Sequence, residues 1–171
     1  MFAGWENFYL MIGGAAGALI GLLFVVATLT GNLGADKAQA GAKIYLTPTV
    51  FHFSVVLVTS AITAVPHLGP RASGGLLAFA ALLGLIYAAN VGRMLQGRAL
   101  SEAPHWTDFW CYSCAPGVIY LVEIAAAGAL AMGRPWAVEV LACALVALLL
   151  ISIRNAWDLV TTIAPAAAAR R

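Results

Sequence analysis

Apolar residues gather in five long blocks separated by short polar stretches. The blocks run from Phe8 to Thr30, Ile44 to Pro66, Ser73 to Met94, Phe109 to Met132 and Pro135 to Ile163. A helix needs ~20 residues to cross the hydrocarbon core of a bilayer, so each block is long enough to span it. The expected fold is all-α: a polytopic integral membrane protein of five transmembrane helices, with residues 1–171 forming a single helical domain.

Composition agrees with the pattern. The chain has 171 residues, of which 63% are hydrophobic and 9% charged, and its mean hydropathy is +0.93. A soluble domain of this size cannot hide so much apolar surface and keep enough charge to stay dissolved, so lipid is the expected solvent. Met1–Asn7 lacks the basic start of a secretory signal and carries Glu6, and the following block is longer than a signal core. It is read as the first span.

Charge orients the spans. Their alternation puts Lys37, Lys43, Arg93, Arg98, Arg154, Arg170 and Arg171 on one side, and Arg71 and Arg134 on the other. Basic residues stay cytoplasmic, which predicts the N-terminus outside and the C-terminus inside, in a bacterial inner (plasma) membrane. The net charge of +2 is accounted for by this asymmetry, and no nucleic-acid surface is expected. Trp5, Trp106, Trp110, Trp136 and Trp157 all fall near predicted span ends, where indole rings prefer the headgroup layer.

Three patterns bear on packing. Gly13, Gly17 and Gly21 recur every four residues in span one, a bare stripe expected to receive a second backbone from this chain or another copy. Pro48, His52, Thr59 and Thr63 share a broad face of span two. They read either as a polar strip lining water or as hydroxyls bonded to carbonyls one turn back on their own helix. Between Gln96 and Asp108 the chain is at its most charged, and His105–Cys114 (HWTDFWCYSC), which overlaps its end, can lie flat in the interface ahead of Pro116.

Glu123 is the costliest residue in the chain. A charged group deep in a span typically costs ~3 kcal/mol, so it normally faces protein or water. Its helical face also carries Tyr112, Pro116, Ile119 or Tyr120, and Ala127. The structural alternative is a protonated Glu123 bonded to a Thr or Tyr of a neighbouring helix.

A second constellation is Arg154, Asn155 and Asp158 on span five, with Asn90 and Arg93 on span three and His52 on span two at similar depth. Together they predict a mixed-charge cluster in the inner leaflet; the alternative is snorkelling arginines and a local ion pair.

Cys111 and Cys114 form a CxxC pair that, with His105, is a candidate for redox or metal chemistry. The pair lies on the reducing cytoplasmic side and offers fewer than four ligands, so apolar filling is the expected role. Cys143 reads as a lone buried thiol. His52, His67 and His105 give no pair at matching depth for haem, and no phosphate loop, HExxH or GxSxG element occurs. Neither an enzyme nor a cofactor is expected.

Two functional readings follow. The first is an oligomeric channel or transport protein for ions or small solutes, with Glu123, His52, Thr59 and Thr63 lining the path. Because five short helices leave little room for a pore, several copies would surround it. The second is a non-catalytic structural or accessory subunit packed against partner membrane proteins, which explains the glycine stripe and small loops. A thiol redox role comes third.

Overall fold

The computed structural model describes residues 2–30, 46–96 and 106–168. The described chain is helical apart from short turns, and five helices are long and apolar enough to cross a membrane. They are α1 (Glu6–Thr30), α2 (Thr47–Ala64), α3 (Pro70–Gln96), α4 (Trp106–Ala131) and α5 (Ala137–Ala168). This is the architecture of a multi-pass membrane protein. The bounds differ from the apolar blocks by a few residues because prolines set several of them. Pro48 sits in the first turn of α2 and Pro70 opens α3, where a missing N–H leaves no helical bond unmade.

The helices form a ring with one addition. Helices α2, α3, α4 and α5 each pack on the next, α5 returns to α2, and α1 lies against both α2 and α5. Successive crossings alternate in direction, so α2 and α4 run parallel and face each other across the ring. Large side chains point outwards to lipid, among them Leu10, Phe24, Phe79, Ile86 and Leu150. The interior is built from Phe53, Val56, Leu77, Tyr120, Leu145 and Leu148, with many alanines between them.

Small residues set the closest approaches, and they lie mainly on α3. A Cβ on Gly74 would come within 2.6 Å of the Ala127 carbonyl of α4. One on Gly84 would run into the Tyr120 ring, and one on Gly92 into Ser113. Ala81 and Ala88 fill the positions between, so α3 offers α4 a furrow of small residues into which backbone and ring fit. The stripe on α1 behaves differently. Gly13 meets Ser60 of α2, with a Cβ there 2.8 Å from the serine Cβ, whereas a Cβ on Gly17 or Gly21 would meet nothing within 4 Å among the described residues. Among the described residues, a close approach is thus found at Gly13 alone of the three.

Helix α4 contains a π-helical turn, Trp110–Cys114, in which the Ala115 N–H reaches back five residues to the Trp110 carbonyl. Pro116 explains it. In this wider register the next bond would run from residue 116 to the Cys111 carbonyl, and proline has no N–H to make it. Asn155 of α5 supplies the missing donor, its Nδ2 lying 2.9 Å from that carbonyl. The Tyr112 hydroxyl returns a bond to the Asn155 carbonyl at 3.1 Å, and Ser113 Oγ bonds the Ala88 carbonyl of α3 at 2.9 Å. The segment before Pro116 thus does not stand apart as a flat interfacial piece. From Trp106 it continues into the span as helix and packs Phe109, Cys111 and Tyr112 around Val91 and Leu95 of α3.

At the opposite end, α4 closes on Gly133 at φ 79°, a left-handed conformation that glycine adopts without a Cβ clash. The N–H groups of Gly133 and Arg134 bond the carbonyls of Leu130 and Ala129 at 2.9 and 3.0 Å, which satisfies the helix end. Nearby, the Tyr9 hydroxyl ties α1 to α5 through the Val138 carbonyl at 3.1 Å.

Candidate functional site

Helix α2 turns its polar residues inwards. Pro48, Thr49, His52, Thr59, Ser60 and Thr63 are all buried, whereas Leu57 and Val58 on the other face are exposed. Spacings of three and four residues keep these positions on one side of a helix. On α4 the same rule buries Tyr112, Pro116, Tyr120, Glu123 and Ala127. Both faces read from the sequence are present, and they meet at the centre of the ring.

The meeting point is a hydrogen bond between helices that are diagonal neighbours. His52 Nδ1 lies 2.7 Å from the Tyr120 hydroxyl, and both residues are 0% exposed. In one imidazole tautomer the phenol donates to Nδ1, and in the other Nδ1–H donates to the phenol oxygen. Tyr87 of α3 flanks the imidazole edge-on at 6.3 Å between ring centres, held by stacking on Phe51 at 4.0 Å. Gly84 gives the Tyr120 ring its seat. Without that bare backbone the ring could not lie between α3 and α2.

Glu123 is 2% exposed and one turn beyond Tyr120 on the same inward face of α4. Among the described residues it is the one buried Asp, Glu, Lys or Arg. Glu123 stands ~4.5 Å along the α4 axis from Tyr120, and because α2 and α4 are parallel this step runs in the direction from His52 to Thr59. From Thr49 to Thr63 the polar strip spans ~21 Å of a hydrocarbon core ~30 Å thick.

Not all of these groups are satisfied. Thr63 bonds the Ser60 carbonyl at 2.7 Å, and Ser54 and Ser152 likewise bond carbonyls one turn back, which is the structural role expected of hydroxyls in spans. Thr59 does not follow them. Among the described residues, His52 Nε2, Thr59 Oγ1, Ser60 Oγ and Glu123 Oε1 are buried without a hydrogen-bond partner. A buried polar atom left unpaired typically costs 1–3 kcal/mol, so four of them in one bundle interior need a cause.

The predicted inner-leaflet cluster separates into parts. Arg93 bonds Asn90 at 3.3 Å on the exposed side of α3, while Tyr87, one turn earlier, faces inwards. Three residues per step falls short of a full turn, so the row Tyr87–Asn90–Arg93 rotates out of the core. Asn155 is buried and serves the π turn, with Arg154 bonded to its Oδ1 at 3.2 Å and Asp158 half-buried one turn on. His52 belongs to the central site, not to this group, because its ring bonds Tyr120.

Cys111 and Cys114 are free and half-buried on the π turn, and Cys143 is exposed on the outer face of α5 rather than buried. Among the described residues no group of three or more His, Cys, Asp or Glu side chains is placed to hold a metal ion. His105, Lys37, Lys43, Arg98, Arg170 and Arg171 lie outside the described residues. The sequence marks Tyr120, the partner of His52, only as sharing a helical face with Glu123, and nothing local distinguishes it further. No protein family, curated protein or solved structure matches the chain.

Proposed function

We propose that this is a membrane transport protein for a small ion or solute, and that its path runs through the interior of a single chain along α2 and α4. The observation that carries the reading is the set of unpartnered buried atoms of His52 and Thr59 on α2 and Glu123 on α4; Ser60, also unpartnered, faces Gly13 of α1 and is not counted in the path. Helices bonded only for packing would leave no such set, since Ser, Thr and His in spans normally find partners across helices or on their own backbone. Groups that take turns with a passing species or with water are the ones left free.

A pore between several copies is the weaker form of the same idea, because Glu123, His52 and Thr59 turn towards the centre of their own bundle. No reaction is assigned to the protein. The charge asymmetry supports an N-out, C-in orientation in a bacterial inner membrane, so a C-terminal alkaline phosphatase fusion should be inactive.

The test is flux into proteoliposomes, with protons, monovalent cations and anions each followed separately. Wild type should carry one of them, and Glu123→Gln, which keeps size and hydrogen bonding, should change the rate while the fold survives. A wild type that moves none would sink the transport reading. An accessory subunit is then the account that remains, favoured by the open face of α1 at Gly17 and Gly21.

A further inference from the structure

We infer that the species moved is the proton, and that it is handed across the bundle at the contact between His52 and Tyr120. This rests on the transport reading and narrows it. The first argument is closure. The contact joins α2 to α4 at 2.7 Å, with both side chains fully buried. Gly84 backs the Tyr120 ring, and the stacked pair Phe51–Tyr87 stands beside the imidazole. An ion of finite size would have to part these groups. A proton crosses a hydrogen bond by rearrangement of bonds.

The second argument is the donor set. A cation stripped of water needs a cage of oxygens, six or more for the hard divalent ions. Here the interior strip carries the one buried carboxylate among the described residues, with hydroxyls and an imidazole spread along the axis. Every one of those polar groups holds or accepts an exchangeable proton. They are arranged as steps, not as a cage.

The third argument is where the free atoms lie. His52 Nε2, on the far side of the imidazole from Tyr120, has no partner among the described residues, and neither has Oε1 of Glu123, one turn beyond Tyr120 on α4. A proton bound at Nε2 makes His52 an imidazolium. Its Nδ1 proton then passes to the Tyr120 oxygen as the phenol's own proton leaves for the Glu123 carboxylate, directly or over one water. One proton has entered and one has moved on, Tyr120 is again a neutral phenol, and His52 is the neutral Nε2–H tautomer. A half-turn of the imidazole then brings Nε2–H to the Tyr120 oxygen and leaves the other ring nitrogen to take the next proton, and Glu123 releases its proton to water on the Thr59 side.

Proteoliposomes loaded with a pH-sensitive dye, with valinomycin and potassium to hold the voltage, provide the experiment. Sodium and potassium uptake are measured in parallel with radioactive tracers. Tyr120→Phe keeps the ring on Gly84 and removes only the hydroxyl. His52→Gln keeps a polar group that cannot relay. Each should lower proton flux by ~100-fold, the scale on which positioned acid–base groups act, at unchanged particle size. Should Tyr120→Phe fail to give a monodisperse particle, His52→Gln carries the test. Proton flux that survives both substitutions overturns the inference, as does sodium or potassium flux without proton flux, which leaves transport standing. No flux of any species removes the transport reading and this inference with it.

Discussion

Asn155→Ala should destabilise the bundle by about 2 kcal/mol, and most of that cost should vanish when Pro116 is also replaced by Ala. The substitution removes the Nδ2 donor that lies 2.9 Å from the Cys111 carbonyl. Interhelical hydrogen bonds in membranes contribute ~0.6 kcal/mol on average and up to ~1.7. Leaving the buried carbonyl unpaired adds ~1–3 kcal/mol, of which water entry recovers part. The tether from the Tyr112 hydroxyl ends on the Asn155 main-chain carbonyl, so it survives and the fold should hold. In a Pro116→Ala background residue 116 has an N–H to offer Cys111, and the asparagine becomes dispensable. Four variants titrated with SDS in mixed micelles, followed by tryptophan fluorescence, give the coupling, expected to be ~1.5 kcal/mol. Costs that add to within ~0.5 kcal/mol, the usual result for independent sites, would show that the proline does not orphan that carbonyl.

Gly84→Ala drives a methyl group into the Tyr120 ring and should cost ~1–3 kcal/mol and displace the hydroxyl from His52, whereas Gly75→Ala, with open space at its Cβ position, should be neutral or mildly stabilising. Comparing their melting temperatures and proton fluxes checks both, and equal behaviour refutes the seat assigned to Gly84. On α1, Gly13→Leu should destabilise the monomer through Ser60, while Gly17→Leu should leave its unfolding unchanged within ~0.5 kcal/mol. If Gly17 instead destabilises the detergent-solubilised monomer, the open face assigned to it is wrong; a smaller native particle with unchanged monomer stability would mark that face as the seat of a partner helix.

The five helices were legible because hydrophobicity and length are local properties, each readable within one block. The inward faces of α2 and α4 were legible for a similar reason. Pro48, His52, Thr59 and Thr63 fall on one side of a helix whatever surrounds it, and the cost of an exposed Glu123 in lipid drives its face inwards. Cys143 shows the limit of this argument. A thiol is apolar enough to face either lipid or core, so its presence in a span does not decide between them, and the structure puts it outside.

What the sequence hid depends on relations between helices that are not consecutive. The even spacing of Gly13, Gly17 and Gly21 drew the eye, yet the tight interface is on α3, where Gly74, Ala81, Gly84, Ala88 and Gly92 mix two small residue types at unequal steps. Regular spacing measures how straight a stripe runs, not whether anything lies against it. The same holds for chemistry. That His52 meets Tyr120, not Asn90 or Arg154, follows from the relative height of α2 and α4, and α3 intervenes between them in the chain. Two features bear on that meeting: a π turn in α4 before Tyr120, and a glycine that leaves room for the Tyr120 ring. Each is visible as a single residue, Pro116 and Gly84. Their consequence appears only when α3, α4 and α5 are packed together, because Asn155 must satisfy the first and Tyr120 must occupy the second.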